Sequence, residues 1–161
     1  MAYDAFLKLD GVTGESKDEK HTNEIDVLSF SMGANNPVGN IGGGGAGAGK
    51  VSISSLQIMK HFDAASPAMF QNCCTGKHFP KGQLTLRKAG GTALEYLVYH
   101  FEKVFVESVQ WSGSSGGDDI PTESLSLAFG KIELMYIVQD DKGGAGKNIG
   151  AKWNLETNTA T

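Results

Sequence analysis

Apolar and polar residues alternate with a period of two along much of this chain, which predicts strands rather than helices. Residues 2–9 form the first such run, and Asp10-Gly11 stops it. The charged stretch 14–24 reads as an exposed loop. Residues 25–32 predict a second strand, with Leu28, Phe30 and Met32 on one face and Val27, Ser29 and Ser31 on the other. Residues 33–49 are rich in Gly and Asn, include Pro37 and have no period. A loop that long inside a compact domain is usually functional. Val51, Ser52 and Ile53 then open a strand predicted over 51–59.

One helix interrupts the strands. Ser66 is placed to cap it, Pro67 suits a first turn that needs no N–H, and Gly76 is placed to end it. Ala68, Met69, Phe70, Cys73 and Cys74 supply its apolar side. Residues 84–88 predict another strand, closed by a turn at Gly90-Gly91. From 94 to 111 apolar residues occupy both parities: Leu97, Tyr99, Phe101, Phe105, Val109 and Trp111 on one, Leu94, Tyr96, Val98, Val104 and Val106 on the other. That predicts a strand buried on both sides, with one face in the core and the other against a partner. Leu125, Leu127 and Phe129 are odd whereas Ile132, Leu134, Tyr136 and Val138 are even, so the apolar parity switches at Gly130. A bulge or strand bend at a barrel corner does this. A last short strand is expected over 149–155. The pattern is that of a mainly β protein: an antiparallel β-barrel or sandwich with one short flanking α-helix and a long Gly-rich loop, residues 1–161 forming a single domain.

Composition narrows the function. With 161 residues and 40% hydrophobic side chains the chain is long and apolar enough to fold around one core. A net charge of −4 with scattered basic residues argues against nucleic acid as a partner. No apolar run approaches the ~20 residues that span a bilayer, so no membrane insertion is expected. Met1 to Phe6 shows neither a basic leader nor an apolar block, and the expectation is synthesis in the cytoplasm and export without a cleavable signal. Cys73 and Cys74 are adjacent and read as reduced, small buried side chains.

Gly44, Gly49 and Lys50 imitate a phosphate-binding loop, which would make the chain a nucleotide hydrolase. Val51 stands where the metal-binding hydroxyl belongs, however, and a strand is predicted where a helix is required. The glycines then read as a side-chain-poor arm suited to docking. His21, His61, His78 and His100 lack metal-ligand spacing, and no Gly-x-Ser-x-Gly elbow occurs. His61 or His78 beside Cys73 or Cys74 reads as packing rather than a reactive pair. Asp118-Asp119 reads as a solvated turn. No catalytic residue, cofactor or metal site is expected.

The segment Gly14-Glu15-Ser16-Lys17-Asp18, then His21, then Glu24-Ile25-Asp26-Val27-Leu28-Ser29-Phe30-Ser31, resembles the haemolysin-coregulated protein family, the tube proteins of bacterial type VI secretion. The resemblance continues through Ala48-Gly49-Lys50-Val51, Ser66-Pro67-Ala68-Met69, Gly76-Lys77-His78-Phe79-Pro80, the run from Leu84 to Gly91, Glu95-Tyr96-Leu97 and Trp153-Asn154. It implies a small β-barrel with a flanking helix, assembled into homohexameric rings that stack into a hollow tube. It also implies a spike protein at the tip, a contractile sheath around the tube, and small effectors in the lumen. Strand 25–33 would lie on the inner wall, with Leu28, Phe30 and Met32 in the core and Val27, Ser29 and Ser31 towards the lumen. The arm, with Gly42, Gly43, Gly44, Gly45, Gly47, Gly49 and Lys50, would contact the next ring. Some family members carry C-terminal toxin domains; none is expected here, since the last predicted strand ends shortly before Thr161. The alternative is a monomeric ligand-binding or carrier barrel with Val27, Ser29 and Ser31 lining a pocket.

Overall fold

A computed structural model describes residues 2–39, 47, 49–90 and 93–161. The elements are β1 (Tyr3–Leu9), β2 (Ile25–Val27), β3 (Ser29–Ser31), β4 (Ala34–Asn35), β5 (Ser52–Ile53), β6 (Leu56–His61), α1 (Ser66–Thr75), β7 (Phe79–Lys88), β8 (Glu95–Ser112), β9 (Thr122–Gln139) and β10 (Ala145–Asn154). Strand pairing is antiparallel and runs β2-β1-β7-β8-β9-β6-β3, with β10 added to β9 and a separate β4-β5 ladder. Because β2 and β3 are consecutive, this order returns on itself. The chain pairs with β1 through Ile25 and Val27, passes Leu28, and pairs with β6 through Ser29 and Ser31. The Leu28 N–H donates to the Met59 carbonyl at 2.8 Å across the seam. The sheet is a nearly closed antiparallel barrel, one of the two architectures that its sequence pattern predicts.

The interior is filled by side chains. Leu7, Ile25, Leu56, Leu84, Leu125 and Leu127 are fully buried and belong to one cluster. Burying each stabilises the barrel by about 1.5–3 kcal/mol. Helix α1 lies on β8 and contributes fully buried Met69. Pro67 sits in its first turn, and Gly76 ends it at φ 73°, its N–H donating to Asn72 O at 2.9 Å. Two helix expectations need correction. Ser66 is the first helical residue rather than its cap, and its hydroxyl accepts from Asp63 N at 3.0 Å and Lys60 Nζ at 3.0 Å. Phe70 and Cys74 point outwards and are exposed, because the side that faces the barrel carries Ser66, Ala68, Met69 and Cys73.

The parity switch at Gly130 is present. Buried Leu125, Leu127 and Phe129 give way to buried Ile132. The β8–β9 register is the same at Val104↔Phe129 and Glu102↔Lys131. Both strands turn over together, with Lys103 at φ 56° beside Gly130. A further register shift falls between Val106 and Ser108, where Glu107 is the extra residue of a bulge. The two apolar parities of β8 therefore arise largely from one inner face that changes phase twice: Phe101, then Val104 and Val106, then Val109. The expectation of a strand buried on two sides is corrected from Phe101 onwards, whereas Tyr96–Tyr99 are half-buried on both parities.

Residues 14–24 form the expected loop, with Glu15, Lys17, Glu19 and Lys20 exposed, but Gly14, Ser16 and His21 are buried and anchor it. The loop is a strap over Phe6, whose ring stacks on His21 at a centroid distance of 4.3 Å. Gly14 N bonds Asn23 O, Ser16 N bonds Glu24 O, and a Cβ at Gly14 would stand 2.3 Å from Glu24 O. Only glycine fits there.

Candidate assembly surfaces

Three regions carry the residues singled out by the sequence: the barrel seam, the arm, and the sheet extension beyond β6. At the seam, Ser29 and Ser31 are exposed on the outer face. Val27, by contrast, is half-buried against the core cluster and Leu28 is 52% exposed. The alternation expected over 25–32 fails at Leu28, because the residue that carries the chain from β1 to β6 adds one step to the phase. Phe30 and Met32 face the core as expected.

The outer face around Ser29 and Ser31 contains little charge. Ser29 pairs with Met59 and Ser31 with Gln57 on β6. These pair in turn with Ser124 and Ser126 on β9, which stand opposite Gln110 and Ser108 on β8. Gln57 Nε2 donates to Ser126 Oγ at 2.9 Å, and Glu107 accepts from Ser55 and Ser126 at the margin. Met59 is 43% exposed, adding a soft apolar side chain to a belt of small polar ones. Sequence reading missed these neighbours. The Ser124-Leu125-Ser126-Leu127 alternation was the available signal, but it does not say which strands lie beside it.

The arm is a hairpin in its described part. Ala34 pairs with Ile53 and Asn35 with Ser52. Further rungs follow at Gly49 N to Pro37 O, 3.1 Å, and Gly39 N to Gly47 O, 3.3 Å. A Cβ on Gly49 would meet the Pro37 carbonyl at 2.6 Å. Gly47, Gly49 and Lys50 are exposed; Gly42, Gly43, Gly44 and Gly45 lie outside the described residues. β5 follows Lys50, so the phosphate-loop geometry is not formed.

At the root of the arm the barrel opens into an extension. β9 pairs with β6 over Thr122–Leu127 and with β10 over Lys131–Gln139. The inner face of this second half continues past buried Ile132 to Leu134, Tyr136, Val138 and Ile149, which are 37–51% exposed. A groove of about 370 Å³ runs between the arm and this sheet, lined by Met32, Ile53, Tyr99, Leu134, Ala151 and Trp153 among others. Burial pushes the Tyr99 phenol up from its ordinary range, so it stays uncharged there. Among the described residues, β10 pairs in the sheet with β9 alone, and its other edge is free apart from the Asn154–Thr159 bridge at its end.

Two polar clamps hold the strap that leads into the seam. Arg87 donates to Asp18 Oδ1 at 2.9 Å, to Asp18 Oδ2, and to Asp4 Oδ2 at 3.2 Å. The Arg87 hydrogen bonds hold the Asp18 carboxyl at about 2. His21 Nδ1 lies 2.8 Å from Glu24 Oε2 and its Nε2 2.8 Å from Glu95 Oε1. Elsewhere Cys73 donates to Glu107 O at 3.7 Å, and the His78 ring packs against Phe105.

These features define a class first: a small, nearly closed antiparallel barrel with a projecting hairpin and a side sheet left open to solvent. The family described as "Type VI secretion system effector, Hcp" matches residues 6–136. The chain is 41% identical over 160 residues to Protein hcp1 of Pseudomonas aeruginosa, covering 98% of each. A solved structure of a type six secretion system protein matches with TM-score 0.93 and 37% identity, covering 98% of this chain and 99% of that one. Hcp1 from Salmonella typhimurium matches with TM-score 0.81 and 39% identity over the whole of both chains. The chain belongs to the Hcp family of type VI secretion. It is thereby a secreted tube protein of that system, from a family whose role is structural.

Proposed function

We propose that this chain forms homohexameric rings that stack into the hollow inner tube of a type VI secretion system. The observation that carries this reading is the unfinished extension. Leu134, Tyr136, Val138 and Ile149 continue a core face without a second layer, beside the free edge of β10. A self-associating chain covers such a face and pairs such an edge, and a heterologous contact closes into a ring. The hairpin arm, including Gly42, Gly43, Gly44, Gly45, Gly47, Gly49 and Lys50, reaches the next ring. The spike caps the tube, the contractile sheath surrounds it, and firing carries it from the cytoplasm out of the cell. No catalytic step is assigned.

In this reading Ser29 and Ser31 face the lumen with Gln57, Met59 and Ser124, while Val27 is withdrawn towards the core. A wall of small neutral groups holds unlike effectors weakly. A monomeric carrier has less support, since Ser29 and Ser31 point away from a barrel interior filled by Leu7, Leu84 and Leu127.

Negative-stain images and native mass of the purified chain test the ring: hexamers with a central hole are expected, and a monomer at all concentrations overturns the reading. Ser31→Arg is expected to leave rings intact and reduce effector retention. Unchanged retention would remove the lumenal role of this face.

A further inference from the structure

We propose that Phe62, Phe70 and Trp111 form a preformed docking surface for a basic amphipathic helix presented by another protein. The three rings converge from different elements. Trp111, near the end of β8, lies 6.0 Å from Phe62 and 5.4 Å from Phe70 between ring centroids. They are 48%, 40% and 49% exposed, although a fold with a filled core has no need of a solvent-facing aromatic cluster. The cluster sits at the opposite end of β8 from the extension and does not rest on the tube reading.

The central ring is held from below. Trp111 Nε1 donates to Glu123 Oε2 at 2.9 Å, and Glu123 is fully buried. Its other oxygen lies 3.5 Å from Nζ of Lys60, which is also fully buried. Lys60 is fixed in turn by Asp63 Oδ1 at 2.8 Å, His61 O at 3.0 Å and Ser66 Oγ at 3.0 Å, which ties it to the first turn of α1. Phe62 is set by its own N–H donating to Pro121 O at 2.9 Å. An aromatic side chain that is ordered before binding loses little entropy on contact, and such residues dominate interfaces.

Shape and charge select the occupant. Phe70 and Cys74, four residues apart on α1, form an outward ridge beside Trp111, and a helix packs along such a ridge. Residues 60–77 and 108–123 together contain Asp63, Asp118, Asp119 and Glu123 against Lys60 and Lys77. Glu15 adds a carboxylate at the start of the helix, accepting from Ala64 N at 2.9 Å. Lys60 offsets only one of the two carboxylates it touches. The segments that carry the rings therefore have a net negative charge, which favours a cationic partner around an apolar centre. A second copy does not meet this requirement with a helix, because α1 carries no charged side chain.

Trp153→Phe leaves Trp111 as the only tryptophan, so its emission reports this surface. The probe is an amphipathic leucine/lysine peptide of roughly 18 residues, long enough to be helical, compared with the same peptide carrying glutamate for lysine. A saturable blue shift is expected with the basic peptide and none with the acidic one. Phe70→Ser should weaken binding at least tenfold, and Asp118→Asn with Asp119→Asn several-fold. No shift, equal response to both peptides, or undiminished binding by Phe70→Ser overturns the proposal. If Phe70→Ser instead disperses the assembled protein on sizing, a second copy covers the patch and the proposal also fails.

Discussion

β8 and β9 run side by side through two environments, and the contrast between their halves explains the molecule. Over Thr122–Leu127, β9 has β6 on one side and β8 on the other, and its inner residues Leu125 and Leu127 are fully buried. Over Lys131–Gln139 it has β10 in place of β6, and its inner residues Leu134, Tyr136 and Val138 emerge into solvent. The halves also differ in sequence: Ser124–Leu127 alternates polar with apolar, whereas Leu134–Val138 is apolar at every position. The difference is the second layer: the seam and α1 enclose the first half, whereas the second half has only the arm nearby. A barrel that fills its interior folds by itself. A sheet with one uncovered apolar face gains stability from whatever covers it.

The strongest way to break this contrast is to remove volume from the closed half. Leu127→Ala is expected to destabilise the monomer by about 2–5 kcal/mol, from lost burial plus the cavity left in a filled barrel. Urea unfolding measures it, and a loss below about 1 kcal/mol would show that the barrel interior relaxes freely. In the open half, Ile149→Asp should change monomer stability by less than about 0.5 kcal/mol, as Ile149 is already 51% exposed. The same change is expected to abolish rings on sizing; intact rings would mean that this face is not the contact. The smallest effect concerns the strap. Asp18 is depressed from 3.8 to about 2 by the Arg87 hydrogen bonds, so its contribution is complete above 3.8 and is lost as pH falls through about 2. Hydrogen exchange across 14–24 should rise in that window for the native chain and show no such step in Arg87→Met.

Much of the fold was legible in the residues. The strand content, the parity switch at Gly130, the helix between Pro67 and Gly76, and the turn at Asp10-Gly11 each depend on neighbours a few positions apart. The candidate site was legible only in part. Ser29 and Ser31 were found as an outward pair, but Val27 was set on the wrong face because a strand that changes partner at Leu28 looks continuous in sequence. The strap was legible as a loop, since Glu15, Lys17, Glu19 and Lys20 do face solvent, but its anchors were not. His21 finds Glu95 at a separation of 74 residues, and Arg87 finds Asp18 at 69. The anchor beneath Trp111 likewise joins Lys60 to Glu123, two residues with no local pattern between them.

By itself the sequence determined which segments extend, where they turn, and which family the chain resembles, since backbone sterics and side-chain period act over short separations. The tertiary structure alone decided which face of each strand is enclosed. It closed the barrel at Leu28, turned Lys103 and Gly130 over together, and placed an added residue at Glu107. Each of those steps changes the phase of a strand, and phase is set by the partner across the ladder rather than by the residues beside it. The same rule left one half of β9 sealed and the other exposed.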